Sequence, residues 1–450
     1  MKTIKIKKIK SLKGEITVPG DKSISHRAII LSSVANGDSH INGFLEAEDN
    51  LRTLNAFKLM GIEIERIKKG KLLIHGKGLN GLKEPFDVID AGNSGTTIRL
   101  LTGLLAGQNF FSVITGDAYL RKRPMERVVE PLSKMGAVIY GRNNGNLAPL
   151  AITGRKLKAI DYISPIASAQ IKSAILLAGL YAEGITSVTE PVKSRDHTER
   201  MLKAFGTDIK ADNSKVEIKG GSRLKAREID IPGDISSAAF LIAAGLIIKG
   251  SEILIKNVGV NPTRTGIIDL LLKMGGDIKL LNKRESSGEP AADILVKSSS
   301  LSGINITRDN IPGTIDEIPI LCIAAASAVG ETIITGAEEL RVKESDRIKT
   351  MVDGLERLGV EAEEMPDGII IKGSRGVPSG RGAKGPAPAG TNQGSRNKCI
   401  KVNSYGDHRV AMSMIIAGMA GVGNHKEVVV EDIECIKTSF PDFLKLLRRI

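Results

Sequence analysis

A chain of 450 residues with an ordinary apolar content can bury two or three domain cores, and its composition excludes a disordered or collagen-like protein. Three widely spaced cysteines without a CxxC pair exclude a disulfide scaffold and point to a reducing, cytoplasmic setting, and the longest apolar run, residues 238–248, is too short to span a bilayer. The formal charge of +13 fits a nucleic acid, a small polyanionic substrate or a merely solvated basic surface.

The opening MKTIKIKKIK alternates Ile and Lys, which predicts a strand over residues 3–10 with one wet face rather than a signal peptide. One pattern then occurs six times: a strand-like run, a turn marked by Gly or Asp, and a helix of small apolar residues that ends at Gly. The copies begin at Gly20, Gly92, Ala167, Gly233, Thr314 and Tyr405. Five are followed by a second amphipathic helix closed by an apolar-Gly step, at Gly61, Gly136, Gly206, Gly275 and Gly359. Short β-branched strands are predicted over 15–18, 113–115, 187–189, 253–255 and 332–335. A period of roughly 70–90 residues is too long for a solenoid and suits a whole supersecondary unit.

Such units predict an α/β protein with two similar domains of three units each. The Pro-Gly steps at Pro19-Gly20 and Pro232-Gly233 are the expected crossings, so residues 19–232 form one domain and residues 1–18 with 233–450 form the other. Residues 374–398 are rich in Gly, Pro and Ser and carry no acid; they read as a flexible surface insertion that supplies part of the basicity.

Residues with chemical uses gather at the starts of the repeated helices, where free peptide N–H groups favour anions. GDKSISHR (20–27) places Lys22, Ser23 and Arg27 on the first turns of a helix. GNSGTTIR (92–99) is a glycine-rich turn without P-loop or dinucleotide spacing, so no nucleotide cofactor is indicated. Ser168, Ala169 and Gln170 open the third helix, and Arg123 lies in a run of three cations before Pro124. IDEIP puts Asp316 at a helix start, KESDR carries Lys343, Glu344 and Arg347, and GDHR carries Arg409. Each alone also fits a capped helix or a salt-bridged surface. Together they predict a strongly electropositive cleft between the domains, able to hold two small polyanions side by side. The six histidines are scattered, and no metal constellation stands out.

These motifs, in order with KRPM, SAQIK, RDHTE, NPTR and SFPDF, resemble the 5-enolpyruvylshikimate-3-phosphate (EPSP) synthase family over nearly the whole chain. SAQIK, RDHTE and NPTR are similar to its type II class, whose members tend to tolerate glyphosate; Gly95 keeps the glycine where some tolerant members carry Ala. The resemblance implies two domains of three βαβαββ units, an inside-out α/β barrel arrangement, with the substrates between them. It implies transfer of the enolpyruvyl group of phosphoenolpyruvate to the 5-hydroxyl of shikimate 3-phosphate by addition and elimination, with no metal or other cofactor. By that resemblance Lys22 contacts both substrates and donates a proton. Ser23, Arg27, Ser168, Ala169, Gln170, Arg195, Asp316 and Lys343 hold shikimate 3-phosphate. Gly95, Arg123, Gln170, Arg347, Arg409 and Lys437 hold phosphoenolpyruvate. Asp316 takes the proton of the 5-hydroxyl, and Glu344 delivers or removes the proton at the methylene carbon.

Two rival readings are weaker. The related transferase acting on UDP-N-acetylglucosamine typically has a reactive Cys in the loop matching residues 116–125 and favours Asn at position 23; here that loop has no Cys and position 23 is Ser. A nucleic-acid binder would need the aromatic stacking residues that are scarce here. The expectation is a cytoplasmic monomer that binds neither nucleic acid nor membrane.

Overall fold

The computed structural model describes residues 2–373, 399–423 and 425–450; the insertion read at 374–398 lies outside the described residues. Among the described residues twelve α-helices follow in order: α1 (Lys22–Ser33), α2 (Glu48–Leu59), α3 (Gly95–Ala106), α4 (Glu126–Lys134), α5 (Ala169–Gly179), α6 (His197–Ala204), α7 (Ile235–Ile247), α8 (Gly266–Lys273), α9 (Ile318–Ala326), α10 (Arg347–Arg357), α11 (His408–Ala420) and α12 (Phe443–Leu447). The odd-numbered helices are the six small-residue helices of the repeats. They are buried almost all round, α7, α9 and α11 completely. Small residues allow this close packing: a side chain at Gly103 of α3 would run into the carbonyl of Ala174 on α5. The five apolar-Gly steps that follow α2, α4, α6, α8 and α10 all have φ between +81° and +94°, the left-handed conformation that lets a helix stop.

Each helix pair is covered by its own small sheet. In the first unit Glu228–Asp230 runs parallel to Asn36–Asn42, which pairs antiparallel with Lys71–Lys77, and that strand pairs antiparallel with Glu63–Lys68. Four further sheets repeat that order. The sixth has three strands: Cys399–Asn403 parallel to Glu427–Glu431, with Thr3–Lys7 antiparallel on its other side. The N-terminal strand therefore completes the last unit. It ends at Lys7 rather than at residue 10, because its partner offers five residues from Glu427 to Glu431.

The strands that precede the first and fourth units are exchanged. Lys13–Thr17 leads into α1 but pairs with Glu252–Gly259 of the fourth unit, while Glu228–Asp230 leads into α7 but pairs in the first. The chain must therefore cross twice between the two halves. Gly20 and Gly233 bridge each other at that point, the Asp21 N–H donates to Pro232 O at 2.8 Å, and the Asp234 N–H donates to Pro19 O at 2.9 Å. A side chain at Gly20 would collide with the carbonyl of Gly43, so the crossing admits only glycine there. One apolar core collects Leu12, Ile16 and Val18 with residues from Ile235 to Leu447; two others lie within residues 24–231.

Asp21 and Asp234 cap α1 and α7 just beyond the two crossings. Between them lies the buried guanidinium of Arg264, 3.6 Å from Asp21, 3.8 Å from Asp234 and 3.8 Å from Glu317, and donating to Ser236 Oγ at 2.6 Å. Burial would favour the neutral form of Asp21, but Arg264 and, to a lesser degree, His197, the Ile24 N–H and Arg195 together outweigh it and hold that carboxyl below its usual range; burial and the charge of Asp21 push Asp234 up. Replacing Arg264 by Met leaves these carboxylates uncompensated. It should cost about 3–5 kcal/mol of unfolding free energy, read from urea midpoints, with Glu317→Gln in the same chain recovering part of the loss.

Candidate active site

The helix starts of both halves converge on one cleft. In the first half, Asp21, Ser94 and Ser168 cap α1, α3 and α5. In the second, Asp234, Asp346 and Asp407 cap α7, α10 and α11. Short polar side chains accept the free N–H groups there, and this places the residues one to three positions later at the mouth of the cleft.

Across the cleft the halves touch through opposite charges. Arg195 of the first half donates to Asp316 of the second. Asp316 also lies 3.6 Å from Arg347 and 3.7 Å from Arg409. Arg347 is almost completely buried and is shared by three carboxylates, with Asp407 at 2.8 Å and Glu344 at 2.6 Å besides Asp316. Glu344 in turn faces Arg123 of the first half at 3.7 Å. Lys22 pairs with Asp49 at 3.1 Å. Gln170 accepts from Arg99 at 2.5 Å and donates to Thr96 at 3.0 Å. Arg27 donates to Thr198 Oγ1 at 2.6 Å and to Ser173 Oγ at 2.8 Å, and to the carbonyl of Ser23.

The residues singled out in the sequence thus form two linked groups. Asp316, Arg195, Arg347, Arg409, Glu344 and Arg123 are joined by direct contacts. Arg27 and Ser23 form a second group beside α5, whose first turn carries Ala169 and Gln170 after the Ser168 cap. Gly95 connects them: a methyl group there would stand 3.3 Å from the guanidinium groups of both Arg99 and Arg123. Lys343 pairs with Glu339 at 3.0 Å. Lys437 stands apart, exposed and paired with Glu434 at 3.6 Å.

Several residues had not been singled out one by one. Arg99 occupies the same place after Gly92 as Arg27 after Gly20, so the repeat itself carried the signal. Asp407 lies in the GDHR motif and acts as both helix cap and partner of Arg347. Asp49 and Glu190 lie in no motif and come to the site only through the fold, while Asn93, inside GNSGTTIR, accepts there from Arg123 at 2.6 Å. The RDHTE and NPTR motifs also serve the junction between the halves: His197 pairs with Glu289 at 2.8 Å, and Asn261 donates to Asp196 at 2.7 Å.

The electrostatics favour anions. Burial opposes charge on Asp316, yet Arg195, Arg409, Arg347 and Lys343 overcome it and hold the carboxyl well below its usual range. Glu344 is likewise held low against burial, chiefly by Arg347 and Arg123. Burial lowers Arg27 and Arg99 to about 10, which leaves both cationic at neutral pH. Burial and the charge of Lys22 push His408 down to about 3, and its Nε2 has no hydrogen-bond partner.

His408 is therefore neutral in the folded protein, whereas the unfolded chain binds a proton there below about pH 6.5. Its contribution is fully present above the unfolded pKa and is lost as pH falls toward 3, by about 1.4 kcal/mol per pH unit. His408→Gln should flatten the fall in urea stability between pH 6.5 and 4.5 by that slope.

A sequence model of the family EPSP synthase (3-phosphoshikimate 1-carboxyvinyltransferase) matches residues 6–447. The chain is 55% identical over 451 residues to a 3-phosphoshikimate 1-carboxyvinyltransferase of Geobacter metallireducens, covering 100% of this chain and 99% of that protein. It is 56% identical over 445 residues to the one of Geotalea daltonii, covering 99% and 98%. Among solved structures, EPSP synthase from Acinetobacter baumannii superposes with a TM-score of 0.85 at 48% identity, covering 99% of this chain and 98% of that one. The enolpyruvyl transferase NikO from Streptomyces tendae superposes with a TM-score of 0.74 at 16% identity over 99% and 96%, a likeness of fold alone. The two-domain α/β fold expected from the repeats is the one these structures share.

Proposed function

The chain belongs to the EPSP synthase family, and from that premise we propose how its cleft carries out the family's reaction. The enzyme transfers the enolpyruvyl group of phosphoenolpyruvate to the 5-hydroxyl of shikimate 3-phosphate and releases phosphate, a step of aromatic amino acid biosynthesis. The rival reading, transfer to UDP-N-acetylglucosamine, is not favoured by the family and relatives matched.

One observation carries the assignment of roles: a carboxylate, Asp316, ringed by three arginines from both halves. So strongly stabilised an anion is a poor base. Two polyanionic substrates would compete for the same arginines, since planar guanidinium groups bind phosphate and carboxylate bidentately. With Arg195 turned to the phosphate of shikimate 3-phosphate, and Arg347 and Arg409 to phosphoenolpyruvate, the field on Asp316 weakens and its basicity rises. Asp316 then takes the proton of the 5-hydroxyl as the oxygen attacks C2 of phosphoenolpyruvate. The base becomes competent only when both substrates are in place.

The addition needs a proton at the methylene carbon, and the ammonium of Lys22 supplies it. Glu344, held ionised between Arg347 and Arg123, removes a proton from the resulting methyl group. The C2–O bond to phosphate then breaks, the enolpyruvyl ether is left on the 5-oxygen, and the cations stabilise the charge on the departing phosphate. Ser23, Arg27, Ser168, Ala169, Gln170 and Lys343 hold shikimate 3-phosphate, and Gly95, Arg123 and Gln170 complete the phosphoenolpyruvate side. Lys437 would have to leave Glu434 to join them.

We assign residues 19–232 to one domain and residues 1–18 with 233–450 to the other, a division supported by the separate apolar cores. We place the enzyme in the cytoplasm, a reading that its three free cysteines support, and expect it to work as a monomer because one chain supplies both walls of the cleft. No helix among the described residues is long and apolar enough to cross a membrane.

The purified protein should release phosphate from phosphoenolpyruvate when shikimate 3-phosphate is added and not when UDP-N-acetylglucosamine is added. Asp316→Asn and Lys22→Met should each lower kcat by roughly 10²–10⁴-fold while a cooperative unfolding transition is retained. Near wild-type phosphate release by either variant would remove that residue from its role.

A further inference from the structure

Beneath the start of α5 lies a set of buried charges that takes no part in the chemistry above. Lys172 and Glu190 are each 1% exposed and pair at 2.7 Å; Glu199 of α6 stands on the other side of the ammonium at 2.8 Å. Burial would lower the pKa of Lys172, but the two glutamates outweigh it and hold the lysine charged. So far this is an ordinary compensated ion cluster.

The remaining bonds of Glu190 are less ordinary. Its Oε1 accepts the backbone N–H of Ser168 at 2.9 Å. Its Oε2 accepts the backbone N–H of Ser194 at 3.2 Å and the Ser194 hydroxyl at 2.9 Å, besides the ammonium of Lys172. Four donors from two separate segments converge on one side chain, and only an ionised carboxylate, which accepts and never donates, can satisfy them all. The two segments are the turn that presents Ser168, Ala169 and Gln170, and the turn that presents Arg195.

We propose that Glu190 is a positioning residue for shikimate 3-phosphate: it clamps the Ser168 and Ser194 peptides together, so that Ser168 and Arg195 converge on that substrate. Lys172 donates its ammonium to the clamp and is not among the residues assigned to the ligand. The proposal rests on the assignment of these two residues to shikimate 3-phosphate. It predicts an asymmetry, because Arg123, Arg347 and Arg409, on the phosphoenolpyruvate side, make no contact with the clamp.

Glu190→Gln tests this, since it preserves shape and leaves Lys172 paired with Glu199, but turns one acceptor into a donor. The KM for shikimate 3-phosphate should rise about tenfold, while the KM for phosphoenolpyruvate changes by less than about twofold. Ser194→Ala removes one bond and no charge; it should raise the same KM about threefold and decides the matter if the first variant does not fold. A purely structural role would lower the thermal midpoint and leave both KM values of the surviving enzyme unchanged, or move them equally, and either result overturns the proposal. Ser168→Ala separates the two levels. If it raises the KM for shikimate 3-phosphate and the Glu190 and Ser194 variants do not, the clamp is disproved and the site assignment stands. If none of the three moves that KM, the site assignment fails and the clamp with it.

Discussion

The double crossing of the chain is the constraint on which the rest of the molecule depends. Because Lys13–Thr17 pairs in the second half and Glu228–Asp230 pairs in the first, two segments must pass through one point, where Gly20 and Gly233 bridge each other. That contact leaves the halves no other covalent link and places α1 and α7 directly beyond it, capped by Asp21 and Asp234. Two like charges meeting at a buried junction would repel. Arg264 between them converts the liability into a fixed angle, and its reach to Glu317 ties that angle to the start of α9, beside Asp316.

A second consequence concerns charge. Helix N-termini and their basic first turns converge from both halves, and in water-poor surroundings so many cations would force the halves apart. Asp316 and Glu344 bridge the halves through Arg195 and Arg123, while Asp49 and Asp407 pair with Lys22 and Arg347 within them. The carboxylates are therefore stand-ins for the anionic substrates as well as candidates for proton transfer. Such a cleft can close on itself without irreversible collapse, because each ion pair across it can be exchanged for a pair with phosphate or carboxylate of similar geometry.

Much of this was legible in the residues. The six small-residue helices form where the repeats predict them, and each apolar-Gly step marks a helix end because that glycine takes a left-handed conformation. Lys22, Arg27, Ser168, Gln170 and Arg347 could be singled out because they follow helix-capping residues, or are themselves caps, in recurring motifs, and Asp316 because it stands just before α9. Arg99 shares the position of Arg27, in α3 after the Ser94 cap. Glu190 and Asp49 left no local trace, and Asn93, though inside GNSGTTIR, gave no sign of its partner. Their importance comes from contacts such as Ser168 with Glu190, 22 residues apart, or Asn93 with Arg123, which no local spacing encodes.

Repetition, periodicity and capping are short-range properties, set by backbone geometry and by which side chains pack one turn apart. For that reason the number of units, the places of the six repeat helices and five second helices, and the family resemblance could be read from the residues, whereas α12 carried no such signal. Only the tertiary structure decided which strand completes which sheet, so that Thr3–Lys7 closes the sixth unit. It alone decided which cation meets which carboxylate, so that Arg195 faces Asp316 from the opposite half while Lys437 stands with Glu434. Those pairings depend on distances between segments far apart in the chain, and such distances exist only once the two halves have folded and met at their crossing.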